Sequence, residues 1–82
     1  MIKLNKQIEA LEQAQEKIQE RIDALEEKKQ AIEEKAWERE SGENTERELE
    51  RIEEIEYEIE ELQEQYDNVQ NALDYIVEYY VD

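Results

Sequence analysis

Cysteine is absent from this chain of 82 residues, so neither a disulfide staple nor thiol chemistry is open to it. Histidine is absent too, which removes the commonest general base and the commonest metal ligand together. Proline is missing and glycine occurs once, so nothing in the sequence reads as a linker or as a loop-rich fold. Positive charge is scarce: ten Lys and Arg stand against 26 Asp and Glu, a formal net charge of -16. No apolar run approaches the roughly 20 residues that a membrane span needs. The N-terminal Met-Ile-Lys-Leu-Asn-Lys lacks the apolar core of a signal peptide. The expectation is a soluble, cytoplasmic protein that does not contact a membrane.

What remains is a helix-forming alphabet dominated by Ala, Glu, Lys, Leu and Arg. High charge with low hydropathy also suits disorder, but the apolar residues are too regular for that. Leu4, Ile8, Leu11, Gln15, Ile18, Ile22, Leu25, Lys29, Ile32 and Ala36 follow one another in steps of four and three. With Ile8 as a and Leu11 as d, this is an unbroken heptad series. A second series runs Ile52, Ile55, Ile59, Leu62, Tyr66, Val69, Leu73, Ile76, Tyr80, with Ile52 as a and Ile55 as d.

Between the two series lies Glu40-Ser41-Gly42-Glu43-Asn44-Thr45. Gly42 suits the left-handed position that ends a helix. Asn44 or Thr45 suits the next N-cap, and Thr45 with Glu48 fits a capping box. So short a connection makes neighbouring helices antiparallel. Register supplies a check. If the seam residues are paired as Leu4–Tyr80, Ile8–Ile76, Leu11–Leu73 and so on to Ile32–Ile52, the two numbers of each pair add to twice that of Gly42. Each pair also matches an a with a d position, as antiparallel packing requires. The expected fold is all-α: a two-helix antiparallel coiled-coil hairpin, one domain over 1–82. Helix 1 covers about 2–40, the turn 41–44 and helix 2 about 45–80. Gln15 and Lys29 interrupt the seam opposite Val69 and Ile55. Either they set register, or Lys29 packs its stem and carries its amine out past Glu26.

Charge is polarised between the helices. Residues 1–39 hold ten acidic and eight basic residues, whereas 52–82 hold eleven acidic residues and no Lys or Arg. The dense part is Glu53, Glu54, Glu56, Glu58, Glu60, Glu61, Glu64 and Asp67. These span about 21 Å of helix, roughly one charge per 2.6 to 3 Å, against about 1.7 Å for duplex DNA. Most fall at b, c and f positions, pointing away from helix 1, so they are not placed to pair with it. Two readings stand. The run is a solvated face that keeps the helix soluble, or it imitates nucleic-acid phosphates and binds a basic surface on another protein. Direct binding to nucleic acid is disfavoured, because the field repels phosphate.

Ala10 and Ala14 on helix 1, with Ala72, Tyr75 and Tyr79 on helix 2, occupy c and g positions outside the seam and share one side near the open end. Met1, Ile2, Val77 and Val81 add apolar surface there. They form a self-association or partner patch, giving a homodimer with a four-helix end, or they are a ragged end covering the last core layer. Trp37, the one tryptophan, either folds over Leu49 to close the tip or stands out as a binding hot spot. Tyr57, at f, is expected to be exposed.

No Gly-rich phosphate loop and no nucleophile–base pair is present. The many Glu pairs lack the convergent oxygen cage of a calcium site, and a two-helix rod has no cleft to set two carboxylates apart. No catalytic residue, metal ligand or cofactor is expected. In size, charge and simplicity the chain is similar to small acidic early proteins of bacteriophages and mobile elements. Some of those inhibit restriction, CRISPR or recombination nucleases by mimicking nucleic acid, so the resemblance implies an inhibitor in a bacterial host. The hairpin shape also resembles the tentacles of prefoldin-type chaperones, but the β-hairpin segments of that family are missing. The leading expectation is an acidic module that blocks a basic groove, and the alternative is an assembly adaptor acting through its apolar end.

Overall fold

The computed structural model describes the backbone of residues 2–80 and the side chains of 5–79. Helix α1 runs Ile2–Lys35 and helix α2 runs Glu46–Tyr80. They fold back on each other as an antiparallel hairpin, a rod of 62 × 14 × 14 Å. Neither helix contains Pro or Gly, and their straight-chain residues lose little rotamer freedom on becoming helical. At this length, however, helices persist in water mainly because one face is buried against a partner.

That face is the predicted seam. Every described a and d position from Ile8 to Ala36, and from Ile52 to Ile76, is buried or half-buried. The tightest part is a cluster of Ile22, Leu25, Ile55 and Ile59, with Ile18, Ile32 and Leu62 packed against it. Ile55 is only 1% exposed. Toward the open end the seam loosens: Ile8, Leu11, Val69 and Ile76 are half-buried, and of the aliphatic seam residues there only Leu73 is buried. The Leu4–Tyr80 pair, and the apolar surface expected from Met1, Ile2 and Val81, lie outside the described side chains.

Both polar interruptions find partners. Gln15, 9% exposed, donates from Nε2 to Gln70 Oε1 at 2.8 Å, and Gln70 in turn donates to Asp74 Oδ1 at 2.9 Å. A buried amide left unpaired would cost about 1–3 kcal/mol, so this chain is what makes Gln15 tolerable in the seam. Lys29 packs its stem and emerges, but to Glu56 of α2 at 3.1 Å and not past Glu26. The exit toward α2 places its ammonium against a carboxylate across the seam.

The tip differs from the expected helix ending near residue 40. The α-helix stops at Lys35, tightens into one 3₁₀ turn at Ala36–Glu38, and Arg39 is extended at φ -95, ψ 150. Gly42 is not the C′ residue of the helix. Its N–H donates to Arg39 O at 3.1 Å, so it is the last residue of a β-turn, with a left-handed φ of 67°. The early stop frees the Arg39 guanidinium to fork onto the Glu48 carboxylate, with Nη2 to Oε2 at 2.8 Å. Thr45, and not Asn44, is the N-cap. Glu48 N–H donates to Thr45 Oγ1 at 3.2 Å and Thr45 N–H donates back to Glu48 Oε1 at 3.0 Å, a reciprocal capping box. One carboxylate thus caps α2 and ties the loop to it. Arg39 beside Glu48, with help from the Thr45 N–H, holds that carboxyl at about 2.

Candidate functional site

At about 100° per residue, the acidic residues at b, c and f of α2 (Glu53, Glu54, Glu60, Glu61, Glu64 and Asp67) fall within an arc of about 140°. This arc faces away from α1, and all six are exposed. The other two members of the run behave differently from expectation. Glu56, at e, pairs with Lys29 at 3.1 Å, and Glu58, at g, approaches Arg21 at 3.6 Å. Positions e and g flank the seam, where a long cationic side chain from the neighbouring helix can reach them. Glu54 is held within its own helix by Arg51 at 3.3 Å.

Setting aside the two carboxylates that α1 neutralises, six remain over about 21 Å, roughly one per 3.5 to 4.2 Å. A single DNA strand carries one per about 3.4 Å along the axis. The density on offer therefore approaches that of one strand and is somewhat under half that of a duplex.

The acidic surface is broader than the run. On the outer face, Tyr57 is exposed and sits in a hollow of about 630 Å³ walled by glutamates that include Glu50, two turns nearer the tip. The Glu61 carboxylate beside it pushes the Tyr57 phenol up, and Glu60 and Glu64 add to the effect. Around the e side, Glu26 and Glu33 of α1 join Glu56 and Glu60 about a second hollow of 360 Å³. Glu50, Glu26 and Glu33 were not picked out from sequence. Their signal was there in the heptad: Glu50 shares the f position of Tyr57 and Glu64, and Glu26 and Glu33 are successive e positions on α1.

The open end carries the second group. Tyr75 and Tyr79 stack at 4.7 Å between ring centroids with a 40° tilt, yet they remain 54% and 64% exposed. Ala10 is exposed, while Ala14 and Ala72 are half-buried beside the seam. At the other end, Trp37 does not close the tip. It is 86% exposed, and Leu49 is exposed as well. Trp37 stands in the 3₁₀ turn one residue after Ala36, which takes the buried seam place, and like the b residues of α2 it is exposed. Trp37, Leu49 and Ala36 instead line an open hollow of 390 Å³ against Asn44, whose Oδ1 is buried with no hydrogen-bond partner.

Among the described residues, no three or more His, Cys, Asp or Glu side chains converge as metal ligands. No helix among them is long and apolar enough to cross a membrane. Comparison with known protein families, curated proteins and solved structures gives no match.

Proposed function

We propose that this chain is a protein-binding rod that inhibits by charge mimicry, laying the outer face of α2 in a basic groove that another protein uses for DNA or RNA. The observation that carries this reading is the band of six exposed carboxylates, set at a density approaching one nucleic-acid strand on a helix whose neighbour supplies them no cation. Solubility needs net charge, but it does not need every Lys and Arg excluded from residues 52–82. Catalysis is no part of the proposal, and neither is direct contact with nucleic acid, which like charge opposes. The setting that suits such an inhibitor is the cytoplasm of a bacterial host carrying a phage or mobile element.

The test is competition. Protein captured on the immobilised chain from host extract is expected to be a nucleic-acid-binding protein that DNA or RNA displaces. Raising ionic strength is expected to weaken it, since exposed charges are screened beyond about 8 Å at physiological salt. Lys at Glu53, Glu54, Glu60 and Glu61 is expected to abolish capture with helicity unchanged. Capture that survives this charge reversal removes the mimicry reading. A second reading, an assembly adaptor, draws on the exposed Tyr75–Tyr79 stack, and capture that survives charge reversal but fails on Tyr75→Glu with Tyr79→Glu favours it.

A further inference from the structure

The two broad sides of the rod differ. The e side is acidic, with Glu26, Glu33 and Glu56 about the single Lys29. The g side is where Arg21 meets Glu58 across the seam, and where Lys35, Arg47 and Arg51 gather over Ile32. On that side α1 carries a second heptad series at c and g. From Ala10 to Lys35 it contains only alanine, lysine and arginine. The facing c and g positions of α2 change character along the rod: arginine near the tip, Glu54, Glu58 and Glu61 in the middle, then Ala72, Tyr75 and Tyr79 at the open end.

We propose that a second copy of this chain docks on this side, with the two rods parallel, tips at the same end, about a two-fold axis along their length. The operation sets α1 of each copy against α2 of the other and keeps every residue at its own height. Ala10 and Ala14 then come level with Ala72 and Tyr75 of the second copy, small side chains against large. Arg21 comes level with Glu61, and Lys28 lies between Glu54 and Glu58. The face is self-complementary, as an isologous two-fold contact must be. The opposite arrangement, tips at opposite ends, would lay one cationic α1 series on the other and is rejected by like charge. In the parallel arrangement Lys35 of one copy comes level with Arg47 and Arg51 of the other at the tips, like charge on like. The contact therefore runs from the open end to Lys28, and the tips diverge.

Size and burial agree. From the open end to Lys28 the contact is about 35 Å long and two helices wide, about 20 Å, which offers roughly 700 Å² per copy, near the size of a standard specific interface. It covers the part of the seam that the hairpin alone leaves half-buried at Ile8, Leu11, Val69 and Ile76. Of the six band acids, Glu53, Glu60, Glu64 and Asp67, at b and f, stay clear of it, whereas Glu54 and Glu61, at c, face the second copy; substitutions at Glu53 and Glu60 therefore test the inhibitor reading apart from the dimer, and those at Glu54 and Glu61 touch both.

The chain lacks cysteine, so single cysteines report the geometry cleanly. Sedimentation equilibrium at micromolar concentration is expected to show a dimer. A short bis-maleimide cross-linker is expected to join Ala14→Cys chains to Ala72→Cys chains in a mixture, with at least tenfold less product from either alone. Tyr75→Glu with Tyr79→Glu is expected to weaken dimerisation at least tenfold while far-ultraviolet circular dichroism stays helical. A wild-type chain that remains monomeric at 100-fold higher concentration overturns the proposal. So does a dimer that cross-links Ala14→Cys chains to one another in preference to the mixture, which would place α1 against α1.

Discussion

Replacing Ile55 by alanine tests where the rod gets its stability. Ile55 is 1% exposed and packs with Ile22, Leu25 and Ile59 in the tightest layer of the seam. The change removes three carbons, worth about 2.4 kcal/mol at about 0.8 kcal/mol per buried CH₂. The hole left behind raises this to about 3 kcal/mol, within the usual span for Ile→Ala. For a chain of this size, each kcal/mol moves the melting temperature by about 4–8 °C, so a drop of about 12–24 °C is expected. Ile8→Ala makes the same chemical change in the loosely covered open half, where Ile8 is only half-buried. Its expected cost is about 1 kcal/mol, or about 4–8 °C. Thermal melts followed by helical circular dichroism, both variants at one chain concentration, give the comparison. Equal shifts at the two positions would refute the gradient of burial. A larger shift at Ile8 that grows with chain concentration would show that the open end owes its burial to association.

Three further outcomes follow from the tip and the outer face. The Glu48 carboxyl lies at about 2 in the folded chain and near its ordinary 4.5 when unfolded, so its contribution is complete above about pH 4.5 and is lost as pH falls toward 2. Glu48→Gln is therefore expected to lower the melting temperature at neutral pH, with the difference from wild type vanishing across that window. Gly42→Ala meets no atom within 4 Å, so only its left-handed backbone at φ +67 matters; a loss of about 1–2 kcal/mol is expected in denaturant titrations. The Tyr57 phenol, held up first by Glu61, is expected to ionise at lower pH in Glu61→Gln, as read by ultraviolet titration.

Legibility in the sequence followed how many residues carried each signal. The hairpin was readable because two heptad series shared one register about Gly42, a long pattern that no single residue could spoil. The capping box was readable because Thr45 and Glu48 stand at its required spacing. The tip was not, because Arg39 has two competing roles. As a helix former it continues α1, and as the partner of Glu48 it ends it. Arg39 and Glu48 both fall at d when the two series are extended, and the register pairs a with d, so the heptad pattern did not point to that contact. Trp37 stood open between folding over Leu49 and standing out, because a lone aromatic at a helix end belongs to no repeating pattern; the structure leaves it 86% exposed. Glu56 and Glu58 were legible as acids but not as partners of Lys29 and Arg21: the outward orientation holds for the b, c and f majority, and the residues at e and g border the seam, where heptad position alone does not say which cation reaches them.

The arrangement of cations decides what the acids can do. Of the positive charges on α1, Lys29 stands in the seam and Arg21 beside it, each satisfied by a carboxylate at e or g of α2. Arg39 is committed to the tip. The rest lie chiefly along the c and g series, on the side proposed for a second copy. Among the described residues none is directed to the outer face of α2, where the b and f carboxylates stand above a helix with only Arg47 and Arg51 among its cations, both near its start. Repulsion within that band must be carried by the hairpin itself, and neutral substitutions there separate two roles. Glu53→Gln with Glu60→Gln is expected to raise the melting temperature by relieving like charge, since neither residue has an ion pair among the described residues. If the acids served only to keep the rod soluble, this more stable variant would bind partners as well as wild type does. If the band is the binding surface, stability rises while affinity for a basic protein falls. The opposite signs of the two effects, measured on the same protein, distinguish a surface that is kept for its charge from one that merely tolerates it.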